Sequence, residues 1–176
     1  MTRDQLEHII RAAGAIANTQ DLVIIESQAI LGQFPNAPAE LLVSDEADVF
    51  PRSDPAASDL IDGSIGQDSP FQRTFGYYAH GVDETTATLP EGWRQRLVLV
   101  AGDNTKFVRG WCLEVHDLAI AKYAAGREKD LDFTKALVRH HMVSREVLLQ
   151  RLDGTMLDSD LRGLITARIA RDFARE

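Results

Sequence analysis

Leu22-Val23-Ile24-Ile25-Glu26-Ser27-Gln28-Ala29-Ile30-Leu31, followed further along by Glu46-Ala47-Asp48-Val49-Phe50, is the part of the sequence that decides the fold. Leu22 to Ile25 is a short apolar run, partly β-branched, with the pattern of a buried strand. Ser27 is placed to cap a short helix through Gln28, Ala29, Ile30 and Leu31, which Pro35 and Pro38 end. Leu41 to Val43 and Ala47 to Phe50 bracket a second strand, with Asp45, Glu46 and Asp48 at its centre. Alternate residues of a strand project to one face, so Glu46 and Asp48 point the same way. Neighbouring carboxylates repel unless solvent, a proton or a cation relieves them. Oxygen ligands with open positions suit Mg²⁺, which takes one or two carboxylates together with substrate phosphates. Taken by spacing alone, a solvated acidic stretch is the simpler account of the same residues.

Upstream, Leu6, Ile9, Ile10, Ala13, Ile16 and Ala17 recur at helical spacing and predict a helix over 4–18. Downstream, Ala56 to Ile65 reads as a helix closed by Gly66. Phe75 to Val82 is β-rich, Thr85 to Leu89 offers it an antiparallel neighbour, and Arg96 to Ala101 is another strand. Phe107 to Leu113 then leads into helices over His116 to Ala125, Lys129 to His141, Ser144 to Leu152 and Ser159 to Ala174. Strands first and helices afterwards predict an α+β fold rather than a doubly wound sheet. The expected organisation is an α/β core over 1–114 and a helical subdomain over 115–176 packed on it, one compact domain in all.

The 176 residues suffice for one domain, and a hydrophobic fraction of 44% is ordinary for a globular chain. Cys112 is the only cysteine, so no intramolecular disulfide can form, which fits a reducing compartment and a cytoplasmic protein. Arg3 and Asp4 lead directly into an amphipathic pattern unlike a signal peptide, and apolar runs such as Leu97 to Ala101 are too short to cross a bilayer. A net charge of −8 repels phosphates over most of the surface, which argues against long-duplex DNA as a partner. Any nucleic acid would need a local basic group, for which Lys122, Arg127, Lys129, Lys135 and Arg139 are the candidates.

Ile24-Ile25-Glu26-Ser27-Gln28-Ala29-Ile30 followed by Glu46-Ala47-Asp48 resembles the signature of the minimal nucleotidyltransferase superfamily. That signature is a hydrophobic residue, Gly, then Gly or Ser, and later an acid–hydrophobic–acid strand. Asp117-Leu118-Ala119-Ile120-Ala121-Lys122 and Ala125-Gly126-Arg127-Glu128-Lys129-Asp130 resemble the helical segment of the branch that includes abortive-infection toxins. Gly76 to Val82 and Leu89 to Arg94 are similar to an uncharacterised bacterial branch of the same superfamily, and the resemblance spans residues 20–142.

The resemblance implies a nucleotidyltransferase-like mixed β-sheet core and an activity dependent on Mg²⁺ (or Mn²⁺). That activity would transfer a nucleoside monophosphate from a nucleoside triphosphate to a small molecule, a protein or an RNA end. Carried over by position, Glu46, Asp48 and Lys122 would be catalytic, and Glu46 and Asp48 would hold metal with Asp83 as third carboxylate. Ser27, Glu26, Lys122, Arg127, Lys129 and Asp130 would surround the nucleotide, with Lys122 expected on an exposed helix face. Two departures stand out: Glu26 occupies the place of Gly, and the separation from Ser27 to Glu46 is longer than the superfamily usually has. They favour an alternative, a catalytically impaired binding module in a toxin–antitoxin or defence pair, with an antitoxin as partner. A third reading is an oligomerising protein that uses the helices from Val143 to Glu176.

Other residues have simpler accounts. Asp117, near Glu114 and His116, is a first-turn acid favoured by the helix dipole. His140 and His141 project from a helix in different directions. His80 reads as a buried histidine close enough to the site to assist a proton transfer. Trp93 and Trp111 are expected to fill core, although Tyr77, Tyr78 and Trp93 would also offer a face to a base. Asp62 to Gly66 is a helix C-cap rather than a phosphate loop.

Overall fold

The computed structural model describes residues 1–174, and its centre is the apolar run with which the sequence analysis began. Asp21–Ile25 forms β1, the middle strand of a five-stranded mixed sheet. Leu22, Val23, Ile24 and Ile25 are all buried, as expected of a strand covered on both faces. Glu46–Pro51 forms β2, antiparallel to β1, with Leu22 opposite Pro51 and Ile25 opposite Asp48. Tyr78–Gly81 (β3) lies parallel to β2 on the outer side. Val98–Val100 (β4) and Arg109–Cys112 (β5) complete the sheet, β5 parallel to β1 and β4 antiparallel to β5, in the order β3-β2-β1-β5-β4.

Helix α1 (Arg3–Ile16) starts at a capping box between Thr2 and Gln5 and buries Leu6, Ile9, Ile10 and Ala13. After β1 the chain makes a 3-10 turn over Ser27–Ala29 and enters the short α2 (Ile30–Gln33). Ser27 opens that turn, and Glu26, not Ser27, stands at the cap position. A 3-10 turn over Pro55–Ala57 leads into α3 (Ser58–Ile65), which Gly66 ends. Next comes α4 (Pro70–Phe75), with Ser69 accepting a hydrogen bond from the Gln72 amide and left-handed Gly76 closing it. Only at Tyr78 does the expected strand begin.

Two expectations are corrected. Thr85 to Leu89 is not a strand: Glu84–Thr86 is a 3-10 turn capped by Asp83, and β3 has β2 as its neighbour instead. Arg109–Cys112 is not a lead-in to helices but β5, a strand inside the sheet. Gly110 disguises it. A Cβ there would lie 2.4 Å from Ile10 Cδ1, so the glycine is what lets α1 lie close to the sheet.

The helical half consists of α5 (Val115–Ala125), α6 (Glu128–Arg139), α7 (Arg145–Asp153) and α8 (Ser159–Phe173). Helix α5 is buried around its circumference: Val115, Leu118, Ala119, Ile120 and Tyr123 are inaccessible or nearly so, and so are Asp117 and Lys122. A helix buried on all sides has no polar face for a periodicity to reveal. One apolar cluster runs from Ile10 and Ile24 through Val49 and Leu118 to Ile165. Among the described residues no helix is long and apolar enough to cross a membrane.

Candidate nucleotide and metal site

The parallel register of β2 and β3 builds one end of the site. It sets Glu46 opposite Tyr78 and Asp48 opposite His80, while Ala47 and Ala79 pair between them and are fully buried. The four polar side chains therefore share the other face. The Tyr78 hydroxyl donates to Glu46 Oε2. His80 Nδ1 lies 3.0 Å from Asp48 Oδ1 and 3.8 Å from Glu46 Oε1. One ligand atom each from Glu46, Asp48 and His80 thus fall within 4.8 Å of one another.

Electrostatics show what this face lacks. The Asp48 carboxyl is pushed up to about 7, first by burial and then by the charges of Glu46 and Glu26, against the pull of His80. The Tyr78 hydroxyl is raised as well, by burial and then by its bond to Glu46. Burial is the larger cause of both shifts; neighbouring negative charge adds to each, and that part a dication would relieve. Two carboxylate oxygens and an imidazole nitrogen are donors for such an ion, and Tyr78 holds one donor in place from outside. The His80 side chain is 49% exposed, which leaves a side open toward solvent.

Glu26 builds the other end. Because Ile25 pairs with Asp48, the next residue leaves the strand beside the carboxylates. Glu26 has φ 60° and ψ −167°, a region that is essentially the preserve of glycine. The side chain has changed from the superfamily pattern, but the backbone keeps a glycine-like conformation. Its carboxylate ion-pairs with Lys122, whose Nζ is also 3.2 Å from Asp130 Oδ1 and 5.7 Å from the centre of the Phe133 ring. Arg127 donates from Nε to Asp130 Oδ2, and another of its nitrogens is 3.9 Å from Glu26. Burial would raise the Asp130 carboxyl, but Arg127 and Lys122 hold it below its ordinary value. Lys122 is 2% exposed and Asp130 1%, which corrects the expectation of an exposed helix lysine.

Residues 4–173 match the DUF6036 family, described as a nucleotidyltransferase of unknown function. The chain belongs to this family. No curated protein and no solved structure matches it.

Within this DUF6036 chain the remaining candidate residues fall as follows. Ser27 opens the turn after β1, which packs against β2. Lys129 is exposed in the first turn of α6, next to Asp130. The Asp83 carboxylate accepts a hydrogen bond from the Thr85 amide at 2.7 Å and another from the Thr85 hydroxyl, so it caps the turn beyond β3. It is not among the residues clustered with Glu46 and Asp48, where His80 stands instead. His80 is exposed, not buried as its sequence context suggested. A signal existed: Tyr78-Ala79-His80 repeats the polar–alanine–polar pattern of Glu46-Ala47-Asp48.

The acids at the start of α5 are structural. Glu114 accepts from the backbone N–H groups of His116 and Asp117, and Arg96 grips Asp117 with bonds of 2.8 and 3.0 Å. The basic group is largely neutralised too: Lys122 and Arg127 pair as above, Lys135 pairs with Asp132 and Arg139 with Glu40.

Proposed function

We propose that this protein is a divalent-cation-dependent nucleotidyltransferase. It moves a nucleoside monophosphate from a nucleoside triphosphate to a small molecule, a protein or an RNA end. The observation that carries the reading is the Glu46–Asp48–His80 face opening beside the glycine-like turn at Glu26-Ser27. In the transfer an acceptor oxygen bonds to the α-phosphorus and the bond from that phosphorus to the β-phosphate oxygen breaks. Pyrophosphate leaves, and the acceptor proton passes to solvent. Glu46 and Asp48 would hold a Mg²⁺ or Mn²⁺, which would supply neutralisation of the phosphate charge, and Tyr78 keeps Glu46 in one orientation. The backbone of Ser27 approaches the triphosphate, and Arg127, more than half exposed, meets its charge from the helical side with Lys129 nearby. Lys122 and Asp130 lie behind Glu26 and fix its position. A net charge of −8 and a paired basic group favour a small molecule or a protein as acceptor over long RNA. The single cysteine, Cys112, is buried, and burial pushes its thiol up to about 12, which makes it unreactive; the cytoplasmic location proposed for this chain rests on there being one cysteine and no disulfide.

A second reading is favoured by Glu26 itself. Its carboxylate, anchored by the buried Lys122, lies near Arg127, the exposed cation that a triphosphate would engage. On that reading the chain is a nucleotidyltransferase-fold binding module without turnover. It would serve in a toxin–antitoxin or defence pair, with an antitoxin as partner, as in the abortive-infection branch.

Incubation with each labelled nucleoside triphosphate, Mg²⁺ or Mn²⁺ and total cell RNA, protein and small-molecule extract separates the two. Transferred label that disappears in Asp48→Asn establishes the first reading. Saturable nucleotide binding without transfer establishes the second, and an absence of both rejects the pair.

A further inference from the structure

The superfamily signature has acids as metal ligands, and the third acid expected from this sequence, Asp83, is engaged with Thr85 beyond the end of β3. The place beside Glu46 and Asp48 belongs to His80. Backbone register puts it there. In the parallel pairing of β2 with β3, Asp48 lies opposite His80 and Glu46 opposite Tyr78, so His80 reaches the carboxylates without a loop having to order.

The atoms are also sorted. Tyr78 takes Glu46 Oε2, and Glu46 Oε1 and Asp48 Oδ1 are the oxygens nearest His80 Nδ1, at 3.8 and 3.0 Å. One ring nitrogen, Nδ1, therefore addresses both carboxylates. A phenol that fixes a ligating carboxylate through its other oxygen is the kind of outer contact that orients metal ligands.

We propose that His80 is the third ligand of the cation site, and that its imidazole makes the site select a first-row transition-metal dication over Mg²⁺. The inference rests on the reading that Glu46 and Asp48 hold a cation. Its chemical basis is ligand preference. Mg²⁺ is a hard ion that binds oxygen in near-ideal octahedral geometry and gives up water reluctantly, so it gains little from an imidazole. Fe²⁺, Ni²⁺ and Zn²⁺ accept imidazole readily, whereas Mn²⁺ lies closer to Mg²⁺ in its preference for oxygen. With one side of His80 open to solvent, a metal bound to these three side chains keeps positions for water or phosphate oxygens.

Mn²⁺ is the probe, because it reports on its ligands by electron paramagnetic resonance. Pulsed spectra of the wild-type protein loaded with stoichiometric Mn²⁺ are expected to show modulation from a directly bound nitrogen, and His80→Asp is expected to lose it. The same substitution restores an all-oxygen ligand set. It should therefore lower the ratio of Mg²⁺ to Zn²⁺ dissociation constants, read by competition, by about tenfold or more. Melting curves without metal establish that the variant is folded; if it is not, the wild-type spectrum decides alone. Mn²⁺ bound without nitrogen modulation, or an unchanged ratio in a folded His80→Asp, overturns the assignment of His80 and leaves the carboxylate site standing. Failure of the wild type to bind Mn²⁺, or binding undiminished by Glu46→Gln with Asp48→Asn, overturns both.

Discussion

Glu26 bears two costs at once. Its backbone sits where a side chain costs about 1 to 3 kcal/mol, and its charge adds to the surplus felt by Asp48. Lys122 offsets the second cost, and the anchored side chain keeps the first in place. Glu26→Gly should relieve the backbone and remove a like charge worth about 1 to 4 kcal/mol against a nearby phosphate, depending on the local dielectric. Calorimetric titration with a nucleoside triphosphate and Mg²⁺ is expected to show binding at least about tenfold tighter, since roughly 1.4 kcal/mol is a factor of ten. Equal or weaker binding would make Glu26 a cation ligand or a bystander. Lys122→Met removes the buried cation between Glu26 and Asp130 and should cost about 3 to 5 kcal/mol in urea unfolding. A loss below about 1 kcal/mol would mean that the two carboxylates escape to solvent. Asp48→Asn should do the opposite. In EDTA at pH 8 it removes the ionised Asp48 beside Glu46 and should raise the melting temperature; a fall would mean that His80 already compensates the pair. Glu26 was legible as a departure because the sequence around it has a pattern to depart from. The burial of Lys122 was not, because α5 is surrounded on every side and carries no amphipathic stripe.

The β2–β3 pair shows the same division among elements. Alternation placed Glu46 and Asp48 on one face, but the parallel partner of β2 lies beyond α3 and α4 and leaves no turn signal. A hairpin with Thr85 to Leu89 looked adequate for that reason. Helix α4 had a local signature, Ser69-Pro70 at its start and Gly76 at its end, and its Phe71 and Phe75 rings meet His8 of α1 and Tyr77. His8 Nδ1 is 2.7 Å from the Tyr77 hydroxyl, and burial, then Arg11, hold its pKa below the ordinary 6.5. A depressed histidine stabilises the fold above its ordinary pKa, and that contribution is lost as pH falls, because the unfolded chain takes up the proton first. Over the same range Asp48, its carboxyl pushed up to about 7, takes up a proton in the folded state and raises stability as pH falls, so the histidine is read from a difference. Between pH 7.5 and 5.5 the urea midpoint of the wild type should fall relative to that of His8→Gln, which keeps a partner for Tyr77; midpoints that move in parallel would place the pH dependence elsewhere.

The whole molecule is tied together across the change from strands to helices after residue 114. Glu26 at the end of β1 pairs with Lys122 of α5, Arg96 ahead of β4 grips Asp117 of α5, and Arg151 of α7 is 3.2 Å from the same Asp117. On its other side α5 reaches α8 through the Tyr123 hydroxyl, which donates to Asp172. The apolar cluster is continuous through both halves, so separating them would expose Leu118 and Ile120 along with the sheet residues they help to bury. The candidate site has the same distribution: carboxylates and imidazole from the strands, cations from α5 and the start of α6. Folding should accordingly be one cooperative event. Trp93 and Trp111 both precede residue 114 and report on the first half by fluorescence, whereas far-UV circular dichroism is weighted toward the helices that follow. The two probes should give superimposable urea transitions, and the isolated segment 1–114 should show no cooperative transition of its own. Separated midpoints, or a folded 1–114 fragment, would mean that the halves are independent units and that the site is assembled by docking rather than by folding.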